Sequence, residues 1–354
     1  MAIVSGLLVE RDAISNAVLI EREVLKANGH EVTVHCQGTT FGNLPWVHTG
    51  ADPWALSQRD GFRDADLVIL HFGTAYELFD VLLLSAPPGA RRVVRFHNVT
   101  PPDLLSGVHR RRAQQGLDQV VISEVADHIW CDSQFNRDVL HDLGISPANT
   151  SVLGLCVPEL DGLLKLDPTP FEEPPKVLYV GRLVQAKGVL DLLVAFGSSG
   201  LAAAGVELHL AGNAALSEPA VLAEVRAVVE RRGSGVVMHE SPDDSELAAL
   251  YEGSSVFVMP SYHEGFCVPV IEAMAHGLIV VASDAGALPE TVGDDGSLIT
   301  VGDIEMLRSA LLEALGSVRV GVERIRPVRV AEFSYRRFEV VFTEALGAVM
   351  GTTA

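Results

Sequence analysis

Twice along the chain, short aliphatic runs alternate with amphipathic segments, and a four-proline stretch separates the two series. The first opens with "AIVSGLLV" (2–9), then the helical "AISNAVLIEREVLKANGH", whose period stops at Lys26, Asn28 and Gly29. "EVTVHC" (31–36), "ADLVILHF" (65–72), "RRVVRFHN" (91–98), "DHIWCDS" (127–133) and "NTSVLGLCV" (149–157) follow as strands, with a helix from about Gln134. The segment "LKLDPTPFEEPPK" (164–176) can neither continue a helix nor sit in a central strand, and reads as a linker. Beyond it "KVLYVG", "VELHLAG", "VVMHE", "VFVMP" and "IVVAS" are strands separated by helical segments, and the last third is helical. Such alternation predicts doubly wound parallel sheets with right-handed crossovers. The expected fold is α/β, with two Rossmann-like domains facing a cleft.

With 354 residues, 48% hydrophobic and 20% charged, the chain has material for two cores. Only 6% is aromatic, so those cores are aliphatic, as buried parallel sheets require. The net charge of -20 argues against nucleic acid and against anionic membranes as partners. Arg110-Arg111-Arg112 reads as a solvated helix face. Cys36, Cys131, Cys156 and Cys267 are scattered without metal-ligand or disulfide spacing. No basic leader and no membrane-spanning run is read, so a soluble cytoplasmic protein without stable membrane insertion is expected.

Ligands of open α/β sheets bind beyond the carboxyl ends of the strands. After "KVLYV" comes "GRLVQAKG": Gly181 turns the chain, and Arg182 and Lys187 place two cations before a helix that starts near Gly188. Such a pair suits a diphosphate; its plainer reading is two surface charges on a loop. Neither a Walker A loop nor G-x-G-x-x-G occurs at either domain start, which sets aside a dehydrogenase. After "VFVMP" comes "SYHEGFCVPVIEAMAHG" (261–277), where a helix is predicted from about Phe266 to Val268 with Pro269 in its first turn. The amides of Gly265, Phe266, Cys267 and Val268 then form a helix N-terminus. Glu264 can accept sugar hydroxyls and Glu272 a vicinal diol. The plainer readings are a helix cap for Glu264 and an exposed helix residue for Glu272.

Taken together, "VGRLVQAKG", "LHLAG" and "ELAALYEGSSVFVMPSYHEGFCVPVIEAMAHGLIVVASDAGALPETV" resemble the carboxyl-terminal domain of retaining glycosyltransferases of family 4 (glycosyl transferases group 1), whose fold is GT-B. The resemblance covers nearly all of residues 176–300. It is looser in the first half, through "DAISNAVLIEREVLKANGHEV", "RFHNVTPPDLL" and "CDSQFNRDVLHDLG". It implies an amino-terminal acceptor-side domain (1–160), a nucleotide-sugar domain (161–332) and a terminal helix (333–354) crossing back to the first. It also implies that Arg182 and Lys187 bind the donor diphosphate, Glu264 the sugar, the amides of residues 265–268 the sugar and phosphate, and Glu272 the ribose. His97 matches the family histidine near the anomeric centre, and Asp12, Ala13 and Asn98 lie on the acceptor side. The implied reaction is metal-independent and cofactor-free, moving a hexosyl group from a UDP- or GDP-linked sugar to a hydroxyl of a glycan, lipid carrier or natural product. Domain closure would assemble the site and exclude water. One departure stands out: Arg11 and Asp12 replace the glycines that often follow the first strand of the family. Two other readings stay open, a GT-B nucleotide-sugar epimerase or hydrolase and a non-catalytic sugar-nucleotide-binding protein.

Overall fold

The computed structural model describes residues 1–165, 170–172, 174–320 and 324–351. Positions 166–169 and 173 of the expected linker therefore lie outside the described residues. The chain divides into two compact units, Met1–Cys156 with Arg336–Ala354, and Val157–Tyr335.

The first unit holds seven parallel strands: β1 (Ala2–Leu8), β2 (Thr33–Thr39), β3 (Val47–Thr49), β4 (Leu67–Phe72), β5 (Arg91–Phe96), β6 (His128–Cys131) and β7 (Thr150–Val152). Their order is β3-β2-β1-β4-β5-β6-β7. Every residue of β4 is buried, as expected of a central strand covered on both faces. On one face Phe72 packs against Phe79 with ring centroids 4.4 Å apart. The helix Tyr335–Met350 supplies Phe342, which is fully buried and meets Trp130 edge-on at 5.5 Å. Arg110, Arg111 and Arg112 are exposed on the helix Gly107–Val120, where Arg110 pairs with Asp103.

The second unit holds six parallel strands: β8 (Lys176–Val180), β9 (Glu207–Gly212), β10 (Val236–Glu240), β11 (Val256–Met259), β12 (Ile279–Ser283) and β13 (Gly296–Ile299). Their order is β10-β9-β8-β11-β12-β13. β3 and β13 are additions to the strands read from sequence. Both are edge strands of three or four residues with half-exposed positions, too short and too mixed to register as apolar runs.

Strand order reverses between β1 and β4 in one sheet and between β8 and β11 in the other. At such a reversal the two flanking helices leave on opposite faces, and the loops at the carboxyl ends diverge to open a crevice. The loops after β8 and β11 are those that carry the expected donor residues.

Candidate functional site

Gly181 prolongs β8 by one bond, its N–H donating to Ala211 O at 2.9 Å. A Cβ on Gly212 would lie 2.3 Å from Gly181 O, so the ends of β8 and β9 approach too closely for a side chain there. The chain then makes a 3-10 turn, Gln185–Lys187, and Gly188 at φ +67° joins it to the helix Val189–Ser198. Tyr179, fully buried, donates its hydroxyl to Arg182 O at 2.9 Å. The Arg182 side chain is exposed and pairs with no carboxylate among the described residues. Lys187 has a partner: its Nζ lies 2.6 Å from Glu264 Oε1.

Glu264 is 7% exposed and is held from two sides. Ser261 Oγ donates to the same Oε1 at 2.7 Å, and the Glu264 carbonyl accepts the Ala287 N–H at 2.8 Å. Its Oε2 accepts nothing from the described residues. The two loops are tied further by Tyr262, whose N–H donates to Ala186 O at 2.9 Å and whose hydroxyl donates to Asp191 at 2.7 Å. Burial pushes the neighbouring His263 down to about 4, so the loop carries a neutral imidazole there. The helix Val268–Ala275 follows, with Cys267 as its N-cap in the left-handed region (φ +80°) and Pro269 in its first turn. The Cys267 side chain makes no cap bond, and among the described residues the Glu264 carboxylate is engaged by Lys187 and Ser261 rather than by the amides of this helix. In the first turn Pro269 has no N–H and the Val270 N–H donates to Cys267 O at 3.2 Å, so the positive end of the helix is presented by the amides before Pro269 and favours an anion there.

Glu272, in the second turn of that helix, is half-buried rather than exposed, and Tyr251 donates its hydroxyl to Oε2 at 2.7 Å. Burial pushes its carboxyl up to about 7, against the pull of that hydrogen bond. The unfolded carboxyl titrates near 4.5, so the folded form binds the proton more tightly between the two values. The stability this contributes is full below about pH 4.5 and is lost as pH rises to about 7. The unfolding free energy should therefore fall over that window by at most about 3 kcal/mol, the denaturant midpoint falling with it, and Glu272→Gln should flatten the slope. A wild-type midpoint constant from pH 5 to 7 would refute the raised carboxyl.

The other expected residues belong to the first unit. Asp12 is the N-cap of the helix Ala13–Ala27 and accepts from Ser15 N and Oγ at 2.9 Å each. Arg11 takes φ +59°, the left-handed conformation that glycine would adopt without strain. Ala13 is the first residue of the helix. Asn98, also left-handed at φ +74°, is buried, donates to Asn136 Oδ1 and accepts from the Val99 N–H. His97 follows β5 and has both ring nitrogens engaged, Nδ1 by Asp132 at 2.7 Å and Nε2 by His71 at 2.8 Å. Glu21, His71, Arg95 and Asp132, which surround it, were not singled out by sequence. Their one signal is an ionisable residue inside a buried apolar run, as in "LVILHF" and "RRVVRF", where burial demands a partner.

The chain's Asp-x-Asp sequence, Asp64-Ala65-Asp66, precedes β4 and so lies at the opposite, amino-terminal edge of its sheet. The four cysteines are separate buried thiols. No helix among the described residues is long and apolar enough to cross a membrane.

Residues 174–317 match the profile described as glycosyl transferases group 1. The MMP alpha-(1->4)-mannosyltransferase of Mycolicibacterium hassiacum is 33% identical over 209 residues, 57% of this chain and 48% of that protein. The chain thus spans about half the length of that relative. Among solved structures, sucrose-phosphate synthase from Thermosynechococcus elongatus superposes with a TM-score of 0.74 at 20% identity, covering 100% of both chains. Anabaena HepE in complex with UDP-glucose gives 0.71 at 18% identity, over 98% of this chain and 100% of that one.

Proposed function

We propose that this chain, whose carboxyl-terminal unit is a glycosyl transferases group 1 domain in a GT-B fold, is a retaining glycosyltransferase that moves a hexosyl group from a nucleotide sugar to a hydroxyl acceptor. The observation that carries this reading is the Lys187–Glu264 contact at the strand-order reversal, beside an Arg182 that pairs with no carboxylate among the described residues and a helix N-terminus that its own N-cap side chain leaves open. One cation held against a carboxylate and one left open suit a ligand that has hydroxyls next to a dianion.

In this reading Arg182 and Lys187 take the diphosphate, with the amides of Gly265, Phe266, Cys267 and Val268 adding donors. Glu264 has Oε1 saturated by Lys187 and Ser261 and offers Oε2 to a sugar hydroxyl. Glu272 accepts the ribose diol in its ionised form, which prevails above about pH 7. As the C1–phosphate bond breaks, negative charge grows on the departing diphosphate and the two cations stabilise it in place. The acceptor oxygen bonds to C1 on the face the phosphate leaves, and its proton passes to the leaving phosphate oxygen. The protein cations replace a metal, no cofactor is required, and no protein nucleophile is assigned. His97, Asp12, Ala13 and Asn98 are given the acceptor-side and anomeric roles that the family resemblance implies. A UDP- or GDP-linked hexose is the proposed donor; the relative named as a mannosyltransferase favours a hexosyl group.

Thermal-shift titration with UDP-, GDP-, ADP- and TDP-sugars, followed by mass spectrometry with candidate acceptors, tests the assignment. One nucleotide class should raise the melting temperature, and a product heavier by one sugar should form. Equal donor consumption without an acceptor would indicate an epimerase or hydrolase, and tight binding without turnover a non-catalytic binding protein.

A further inference from the structure

Five ionisable side chains close a ring inside the first unit. His71 Nε2 lies 3.1 Å from Glu21 Oε2, His71 Nδ1 2.8 Å from His97 Nε2, and His97 Nδ1 2.7 Å from Asp132 Oδ2. Arg95 completes it by ion pairs, with Nε 3.1 Å from Glu21 Oε1 and Nη2 3.1 Å from Asp132 Oδ1. None of these side chains is more than 3% exposed. The helix Ala13–Ala27, the end of β4 and the residue after β6 contribute one member each, and the end of β5 contributes two, Arg95 and the following His97.

The ring fixes its own proton count. Each of the three contacts made by the histidines needs one proton, and two neutral imidazoles supply only two. A third proton makes the sum neutral: Glu21 and Asp132 negative, Arg95 and the histidine pair positive. Without it one contact would oppose two lone pairs and the buried ring would carry net negative charge, and both are costly away from water.

The location of the protons follows from burial and charge. Burial pushes the Glu21 carboxyl up, but His71 and Arg95 more than reverse this, leaving it below the usual carboxylate range. Burial pushes His71 below the ordinary imidazole range despite the pull of Glu21, so it keeps a single proton, which faces Glu21 on Nε2. Its bare Nδ1 then accepts the His97 Nε2–H, and the third proton lies between His97 Nδ1 and Asp132.

We propose that Glu21 and His71 are positioning residues for His97, fixing its tautomer through a Glu21–His71–His97–Asp132 relay that Arg95 closes and that holds one proton more than two neutral imidazoles. The proposal rests on the reading that gives His97 a part in glycosyl transfer. A consequence for both rings follows from Glu21→Gln. The amide carbonyl takes the place of Glu21 Oε1, 3.1 Å from Arg95 Nε, because an NH2 group there would set its positive end against the guanidinium cation. The NH2 group then donates to His71 Nε2, which moves the His71 proton to Nδ1. His97 accepts that proton at Nε2, keeps its own on Nδ1 for Asp132, and the third proton leaves.

Long-range 1H–15N correlation spectra of the histidine rings in the full chain near neutral pH read this directly. Wild type should show His71 bare at Nδ1 and His97 protonated at Nε2. Glu21→Gln should show both rings bare at Nε2. With the donor that the thermal-shift screen selects, Glu21→Gln should slow transfer about 10–100-fold, the range seen when a metal-bound histidine loses the partner that orients its ring, at unchanged donor Kd. A wild-type His97 bare at Nε2, or a reversed tautomer with wild-type turnover, would overturn the proposal. The wild-type spectrum decides alone if Glu21→Gln does not fold. Wild-type protein that transfers no sugar from any of the four nucleotide classes would instead sink the reading of the site, while the spectrum still decides the relay.

Discussion

Lys187→Ala is expected to lower kcat for sugar transfer by about 10²–10³-fold, the usual loss when one preorganised donor to a developing anion is removed. The Nζ that lies 2.6 Å from Glu264 Oε1 has two tasks in the proposed reaction. It neutralises Glu264 while the site is empty, and it meets the diphosphate charge as the glycosidic bond breaks. Its loss leaves Glu264, 7% exposed, with the Ser261 hydroxyl as its remaining side-chain donor. Stability should therefore fall too, by about 1–3 kcal/mol, the worth of a charge-assisted hydrogen bond at a partly buried site. The two effects separate experimentally. Lys187→Met keeps the stem and removes the charge; Lys187→Arg keeps the charge and changes its shape. If the lysine acts on the diphosphate, Lys187→Met is as slow as Lys187→Ala, and Lys187→Arg is intermediate. Nucleotide release measured with a productive acceptor is the readout. Turnover within threefold of wild type in Lys187→Ala would remove this residue from the chemistry and leave it a surface partner of Glu264.

What the sequence disclosed follows from what burial does to sequence. Strands covered on both faces must be largely apolar, so β1, β4, β8, β11 and β12 stand out as runs, and their order with the helices between them predicts parallel sheets. The half-exposed edges β3 and β13 are under no such demand and leave no pattern. Arg182, Lys187 and Glu264 were legible because they interrupt the chain just beyond strand ends, where a ligand is expected. Their pairing was not legible, since Lys187 and Glu264 are 77 residues apart and meet only because β8 and β11 are neighbours. The ring around His97 was hidden for the same reason: Glu21 and His71 are 50 residues apart, and each reads singly as a polar residue in an apolar segment. Backbone strain left no signal either. Cys267 and Arg11 take left-handed conformations that a glycine would have announced, so their role in shaping the loops is visible only in three dimensions.

Gly188→Ala should destabilise the second unit by about 2–5 kcal/mol. Gly188 sits at φ +67°, where a Cβ costs about 1–2 kcal/mol by itself. The larger difficulty is space: that Cβ would lie 1.9 Å from Pro260 O and 2.8 Å from Pro260 C, both backbone atoms with no rotamer to escape into. The loops must part, at the roughly 1–3 kcal/mol that overpacking costs. For a unit of this size that amounts to a melting temperature lower by roughly 5–20 °C. Gly197→Ala is the matched control. It adds the same methyl to the same helix, meets nothing within 4 Å and should stabilise by about 0.5–1 kcal/mol, since alanine is the better helix former. The sign difference between two glycines nine residues apart separates the local cost at Gly188, its left-handed backbone together with the Pro260 contact, from any general effect of the substitution. The consequence reaches the site, because the loop pushed away from Pro260 carries Lys187 and the Pro260 side carries Ser261 and Glu264. Folded Gly188→Ala protein should therefore lose transfer as Lys187→Ala does, with every polar group of the site still in the chain. An unchanged melting temperature with full transfer would show that the two loops separate freely, and the close packing of glycine on Pro260 would then have no part in holding the cation against the carboxylate.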